Sequence, residues 1–355
     1  MKEKHVFAGN NTSKGFYSYF QYTFNPDEAN HIYILKGGPG VGKSSFMKKY
    51  GAKMKEKGYD VEYIHCSSDH ESLDGILIPK LKLAFVDGTA PHIVDPKIPG
   101  AVDEIINLGV YLDNKKLEEN RREIMQINKK KSNLYRSAYR YLECAGLIFE
   151  EIQSNYDEVT NYSKFLDLCK EVSSKFFANK VSEARKQSLG KLRKLFCEAY
   201  TANGHIKYTE GICEGKRVWA INGENKNASA KLLEYVANEA MQKGYDVEGY
   251  YHPLIPEKLQ HISIPELNAV ITTESCSNQG YDASINLNHI IDYKKIKNKE
   301  ELDNNMQLFD LLINLALVKL GEVKKEHQRL ENYYVKSMDF KKVNKCFEEL
   351  FHQYE

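Results

Sequence analysis

The pentapeptide Gly58-Tyr-Asp-Val-Glu62 recurs as Gly244-Tyr-Asp-Val-Glu248, a shift of 186 residues (244 − 58). The same shift carries Gly37 onto Gly223, Glu71 onto Glu257 and Leu73 onto Leu259, and Ile76, Ile78, Pro79 and Leu81 onto Ile262, Ile264, Pro265 and Leu267. Upstream, Phe7, Thr12, Gly15 and Tyr19 match Phe196, Thr201, Gly204 and Tyr208 at a shift of 189, as a loop-length difference of three residues allows. A register held this long is the mark of a duplicated unit, which must be recognised before any other element is assigned. Two lobes are therefore expected, 1–190 and 191–355, with Lys180 to Phe196 read as a helical junction.

Proline placement supports the division. All nine prolines fall between Pro26 and Pro99 or between Pro253 and Pro265. Proline lacks an N–H and clashes with the preceding helical turn, so long helices belong in the proline-free stretches. Leu117 to Thr160 and Glu300 to Val343 are rich in Leu, Glu, Lys, Arg and Gln, and each is predicted to be helical. Each lobe thus reads as a strand–loop–helix–strand segment followed by long helices.

His31-Ile-Tyr-Ile-Leu35 is a short run of β-formers and reads as a buried strand. After it comes Gly37-Gly-Pro-Gly-Val-Gly-Lys43-Ser44-Ser45, which satisfies GxxxxGK[ST], and then a helix ended by Gly58. Strand, glycine loop and helix in that order are the context a phosphate-binding loop requires. Glycines at 37, 38, 40 and 42, with Pro39 and Val41 between them, let backbone N–H groups approach phosphate oxygens without a Cβ in the way. The helix N-terminus adds partial positive charge at the same place. Lys43 would reach the β- and γ-phosphates, and Ser44 would ligate Mg2+. A second metal ligand is sought at the end of a neighbouring apolar strand, and Leu81 to Val86 runs into Asp87. Shifted by 186, Lys43, Ser44 and Asp87 fall on Ser229, Ala230 and Thr273. The second lobe has lost the ammonium, the hydroxyl and the carboxylate together, so one working site is expected.

These residues resemble the P-loop NTPase superfamily. More narrowly, Gly37 to Ser45, Gly58 to Glu62, His65-Cys-Ser-Ser-Asp69, Asp87-Gly-Thr-Ala-Pro-His92 and Asp95-Pro96, with Gly244 to Glu248 and Ile264-Pro265, look like a bacterial family of ATPases or nucleotide kinases. The resemblance implies an α/β fold with a P-loop-type parallel sheet, duplicated here, and nucleotide binding. It implies no substrate. That family pattern includes a second glycine-lysine loop, from which Gly223 to Ala230 departs.

Other groups are candidates for a catalytic role. Asp69, Glu71 and His92 are placed to position a water or an acceptor hydroxyl, and one of Arg121, Arg122, Arg136 and Arg140 to reach the γ-phosphate. The spacing of His65, Cys66, Asp69 and His70 matches no standard metal site. Lys129-Lys130-Lys131 reads as a turn or exposed face. Neither Asn114-Lys115-Lys116-Leu117 nor Asn225-Lys226-Asn227-Ala228 completes an NKxD guanine reader, which favours ATP.

The formal net charge of +1 gives no reason to expect nucleic acid as a partner. Seven scattered cysteines without a CxxC pair point away from a disulfide framework or structural zinc, and toward a cytoplasmic setting. No run is apolar for long enough to span a bilayer. The expectation is a Mg2+-dependent ATPase. The alternatives are a small-molecule or nucleotide kinase with its acceptor between Asp69 and Asp95, and a nucleotide-switched interaction protein whose partner binds the helical regions.

Overall fold

Each half of the chain builds the same six-stranded sheet. The computed structural model describes residues 2–23, 25–90, 93–178, 188–274, 276 and 280–354. The first half runs β1 (Glu3–Phe7), β2 (Gly9–Thr12), β3 (Gly15–Ser18), α1 (Phe20–Thr23), β4 (His31–Lys36), α2 (Lys43–Glu56), β5 (Val61–His65), β6 (Leu73–Ile78), β7 (Leu83–Asp87) and β8 (Asp103–Asn107). Helices α3 (Asn114–Glu119), α4 (Arg121–Glu158) and α5 (Tyr162–Phe177) follow. The second half runs β9 (Leu192–Leu195), β10 (Glu198–Thr201), β11 (Gly204–Lys207), α6 (Thr209–Cys213), β12 (Arg217–Asn222), α7 (Lys226–Gln242), β13 (Val247–Tyr251), β14 (Leu259–Ile264), β15 (Ala269–Thr272) and β16 (Ala283–Asn286). It ends in α8 (Lys299–Lys336) and α9 (Phe340–Phe351). Strand orders are β1-β5-β6-β7-β4-β8 and β9-β13-β14-β15-β12-β16, the same path in both halves. Local details repeat as well. A ladder irregularity falls at Ile64/His65 and at Tyr250/Tyr251, and Lys82 and Asn268 both adopt positive φ. The duplication read from the sequence is present in the architecture.

The sheets are mixed, which corrects the expectation of a parallel sheet. β1, β5, β7, β4 and β8 follow parallel pairings, but β6 is antiparallel to both β5 and β7. The cause is connection length. A parallel crossover needs a dozen residues or more. Only the turn Pro79–Leu81 and Lys82 joins β6 to β7, and residues 66–72 join β5 to β6. The same turn delays the strand before Asp87 to Leu83. Residues 192–195 form edge strand β9 rather than part of a helical junction, because they pair in parallel with β13; residues 179–187 lie outside the described residues.

The two sheets face one another. Val6, Ile34, Ile64 and Val86 from one meet Leu195, Val218, Tyr250 and Val270 from the other in a shared core. Phe7 and Phe196, which are repeat equivalents, exchange backbone hydrogen bonds of 2.8 and 2.9 Å near the pseudo-dyad. Beside them lies a half-buried four-membered ion cluster. Lys4 and its counterpart Arg193 each contact both Glu62 and its counterpart Glu248, at 2.5 to 3.4 Å. Burial alone would raise the Glu62 carboxyl, but Arg193 and Lys4 hold it well below the usual carboxylate range. Cys213 and Cys276 are joined by a disulfide, a pairing the sequence reading did not anticipate; α6 and the segment after β15 bring together two residues 63 apart in sequence.

Helices cross between the halves. α4 and α8 have 38 residues each, about 57 Å at 1.5 Å per residue, and pair antiparallel, Phe149 against Phe309 and Lys130 with Glu326. Lys129 to Lys131 lie inside continuous helix, so of the turn or exposed face expected there it is the exposed face that forms, at Lys129 and Lys130; Lys130 and Lys131 also reach Glu326 and His327 of α8. α5 packs through Phe165, Cys169 and Phe176 onto the second sheet's core. α9 packs through Val343, Phe347 and Phe351 onto α2 and the first sheet. Residues 337–339 hold the exchange in place through the Leu112–Met338 bridge and bonds from Asp113 N–H to Ser337 O and Asp339 N–H to Tyr111 O. A boundary at 190/191 separates the two sheets, while α5 and α9 each complete the opposite one.

Candidate functional site: a glycine loop beneath a crossed-over helix

β4 ends at Lys36 and the chain turns through Gly37, Gly40 and Gly42 at φ of 146°, 71° and 96°, a left-handed sequence that side chains resist. Gly42 is the N-cap of α2 and supplies no side-chain cap, so the first-turn N–H groups of α2 are not closed off by a neighbouring side chain. Lys43 is buried, and its Nζ donates to the Gly37 and Gly38 carbonyls at 2.7 and 2.9 Å. Asp87 Oδ2 lies 3.5 Å from the same Nζ. Burial lowers the Lys43 pKa, and Asp87, Asp74 and Glu331 oppose the shift.

The register of the sheet assembles this group. Asp87, the last residue of β7, stands opposite Leu35 of β4, so the carboxylate reaches the carboxyl end of the strand that leads into the loop. Asp87 Oδ1 accepts from the Thr89 N–H and hydroxyl, leaving Oδ2 toward Lys43. Ser44 Oγ accepts from the Leu73 N–H at 3.0 Å. Ser45 is exposed on the outer face of α2. Lys36 donates to Gly88 O, Val94 O and Asp95 Oδ1 and so fixes the loop after β7.

Asp74 was missed by the sequence reading. It is 4 % exposed, in β6, and its charge acts on Lys43 and on the Cys66 thiol. The signal was a carboxylate inside the otherwise apolar run Leu73-Asp-Gly-Ile-Leu-Ile78, replaced by Gln260 in the second half. The helix over the loop was missed too. A Cβ on Gly38 would stand 2.5 Å from the Tyr334 ring, and one on Gly40 would stand 3.0 Å from Val335 and 3.1 Å from the Glu331 carbonyl. The carboxyl-terminal turns of α8, from the other half of the chain, therefore rest on the glycine loop. No short-range pattern announces that contact.

Other candidates are placed elsewhere. Asp69 Oδ1 is paired with Lys324 of α8 at 2.8 Å, and Glu71 with the same ammonium at 3.7 Å. His65 donates from Nδ1 to His70 O, its Nε2 lies 2.8 Å from His5 Nδ1, and burial lowers its pKa to about 4. Arg121, Arg122, Arg136 and Arg140 all lie on α4, whereas the helix resting on the loop is α8. His92 lies outside the described residues.

The second half supplies the contrast. α7 begins at Lys226, counterpart of Gly40, and Asn225 caps it by accepting from the Ala228 N–H at 2.8 Å. Gln153 Oε1 of α4 takes the Lys226 N–H at 2.6 Å, and Asp157 accepts from the Asn225 and Asn227 amides. Gln153 and Asp157 are the α4 counterparts of Glu331 and Val335. Side chains thus cap the N-terminus of α7, whereas the N-cap of α2, Gly42, offers none. No protein-family model, curated protein or solved structure matches the chain. Among the described residues no helix is long and apolar enough to cross a membrane.

Proposed function

We propose that the first half binds ATP with Mg2+ at Gly37–Ser44 and hydrolyses it, as a P-loop-type nucleotide site, and that the second half binds no nucleotide. The observation that carries this reading is the difference between the two loops. One presents glycines at positive φ and a helix N-terminus without a side-chain cap; the other spends the equivalent amides on Asn225 and Gln153.

Lys43 would exchange its loop carbonyls for phosphate oxygens, and its charge would grow in worth where water is excluded. The donor set fits the metal as well: a hydroxyl at Ser44 and a carboxylate at Asp87 are hard oxygen ligands, and both sit at the loop. Bound Mg2+ would neutralise charge on the β- and γ-phosphates. Asp74 would hold Lys43 in its charged form.

One observation favours the switch reading alongside hydrolysis. The negative end of the α8 dipole and the Glu331 carboxylate lie at the loop, where a polyphosphate would repel both. Nucleotide would then bias α8, and through it α4. The kinase reading draws less support, since Lys324 already occupies Asp69 and Glu71.

The test is calorimetric binding of ATP and ADP with and without Mg2+, with phosphate release measured in parallel. Wild type is expected to bind one ATP per chain, with a Mg2+ requirement. Lys43→Ala should lose about 2–3 kcal/mol, a factor of roughly 30 to 150. Asp87→Ala should lose the Mg2+ dependence. Equal ATP affinity in wild type and Lys43→Ala would remove the proposal.

A further inference from the structure

The second half carries a buried polar cluster that its twin lacks. Glu198 is 1 % exposed at the start of β10, and His261, in β14, is fully buried. Cys197 Sγ, a Glu198 oxygen and a His261 ring nitrogen lie within 4.8 Å of one another. In the first half the equivalent positions are Ala8, Gly9 and Gly75, and Phe16, counterpart of His205, lies over Gly9. The scaffold therefore folds with apolar residues here. Burying a carboxylate, an imidazole and a thiol in their place costs free energy that the shared fold does not demand.

His261 Nδ1 lies 2.8 Å from the Thr272 hydroxyl, which accepts from the Glu274 N–H and lies 3.1 Å from Glu274 O. With the proton on Nδ1, Nε2 presents a lone pair toward Glu198. That atom has no hydrogen-bond partner among the described residues, yet it points at Glu198 Oε1 from 3.6 Å. A cation between Nε2 and the Glu198 carboxylate would partner both groups. Ligand atoms about 2.0–2.3 Å from one tetrahedral ion stand roughly 3.3–3.8 Å apart, which matches this separation. The carboxylate is already oriented: Thr209 and Gln260 donate to Oε1, and His205 Nε2 lies 2.9 Å from Oε2. Supporting bonds of this kind, including the Thr272 contact behind His261, are what a metal-binding imidazole and carboxylate require.

We propose that Cys197, Glu198 and His261 form a structural site for one divalent transition metal of the Zn2+ class, tying β10 to β14 between the two sheets. Thiolate and imidazole select a borderline-soft ion over Mg2+ or Ca2+. Binding displaces the Cys197 proton to solvent, so the thiol becomes a thiolate ligand with no change of oxidation state. The site is independent of the nucleotide loop and stands whatever that loop binds.

The test uses the full chain without nucleotide. Zn2+ retained after dialysis is counted, and Co2+ is titrated while thiolate-to-cobalt charge transfer is followed in the near ultraviolet. Wild type should hold about one ion per chain and show the band. Cys197→Ala, which installs the residue of the first half and so suits the fold, should lose the band. Thr272→Val, again the first-half residue, should keep the band but weaken Co2+ binding about 10- to 100-fold. ATP binding should be unaffected in both variants. Wild type with no retained Zn2+ and no band would overturn the proposal, leaving His261 as an imidazolium paired with Glu198. A band unchanged in Cys197→Ala would overturn the ligand assignment.

Discussion

The contact of Tyr334 with Gly38 can be tested by adding a single carbon. Gly38 has no positive φ, so Gly38→Ala strains no backbone dihedral and acts only through its new Cβ. That atom would lie 2.5 and 2.7 Å from two Tyr334 ring carbons, where ordinary contact needs about 3.4 Å. The ring must withdraw by roughly 1 Å, and overpacking of this size costs about 1–3 kcal/mol. Residues 337–339 are pinned by the Leu112–Met338 bridge, so the strain must appear in the turn of α8 that carries Glu331 and Tyr334. Tyr334→Ala removes the obstacle. Gly38→Ala should therefore cost about 1–3 kcal/mol in wild type and almost nothing in Tyr334→Ala. Opening free energies of the α8 and α9 amides, read by native-state hydrogen exchange, report this locally. Additivity within about 0.5 kcal/mol would show that the helix does not rest on the loop in solution, and the coupling of nucleotide to α8 would go with it.

Two further outcomes follow from buried groups. Burial depresses His65 to a pKa of about 4, against 6.5 for a free imidazole. The unfolded chain then binds the extra proton first, so stability is intact above pH 6.5 and falls as pH drops toward 4. The loss attributable to this residue is on the order of 2–3 kcal/mol, and urea titrations across that range should show a shallower slope in His65→Tyr, which carries the second-half residue. In the second half, Asn225→Ala removes an N-cap and leaves Asp157 short of a donor; it should cost about 2–3 kcal/mol in urea while ATP affinity stays unchanged.

How much of this was legible in the sequence depends on range. The repeat was readable because each lobe keeps the same turn chemistry: Gly58 and Gly244 both sit at positive φ, and Pro79 and Pro265 both open the turn before an antiparallel strand. The glycine loop was readable because its spacing is local, and Asp87 because it ends an apolar strand run, which β4–β7 pairing then brings beside the loop. The mixed sheet was legible in principle, since four residues cannot make a parallel crossover, but the apolar run across Leu81 hid the turn. Helix exchange was not legible at all. α5 and α9 are amphipathic and would suit either sheet, and only the length of α4 and α8 decides which one they reach. The buried cluster at Glu198 was equally silent, because Cys197, Glu198, His205 and His261 gain meaning only when set against Ala8, Gly9, Phe16 and Gly75 in space.

That comparison also bears on why both halves are retained. A duplicated unit that lost its site would be free to lose its loop, yet Gly223 keeps φ at 157° and the loop is rebuilt around Asn225, Gln153 and Asp157. The rebuilt loop holds the carboxyl end of α4 with side-chain hydrogen bonds, whereas the first loop meets the carboxyl end of α8 at its glycines, with Glu331, Tyr334 and Val335. Because α4 and α8 are one antiparallel pair, an anchored end on one side gives the other a fixed point to move against. If the first half binds nucleotide as proposed, the lack of Lys43, Ser44 and Asp87 counterparts in the second half would leave one site, with the α4 end held by the rebuilt loop as its fixed point.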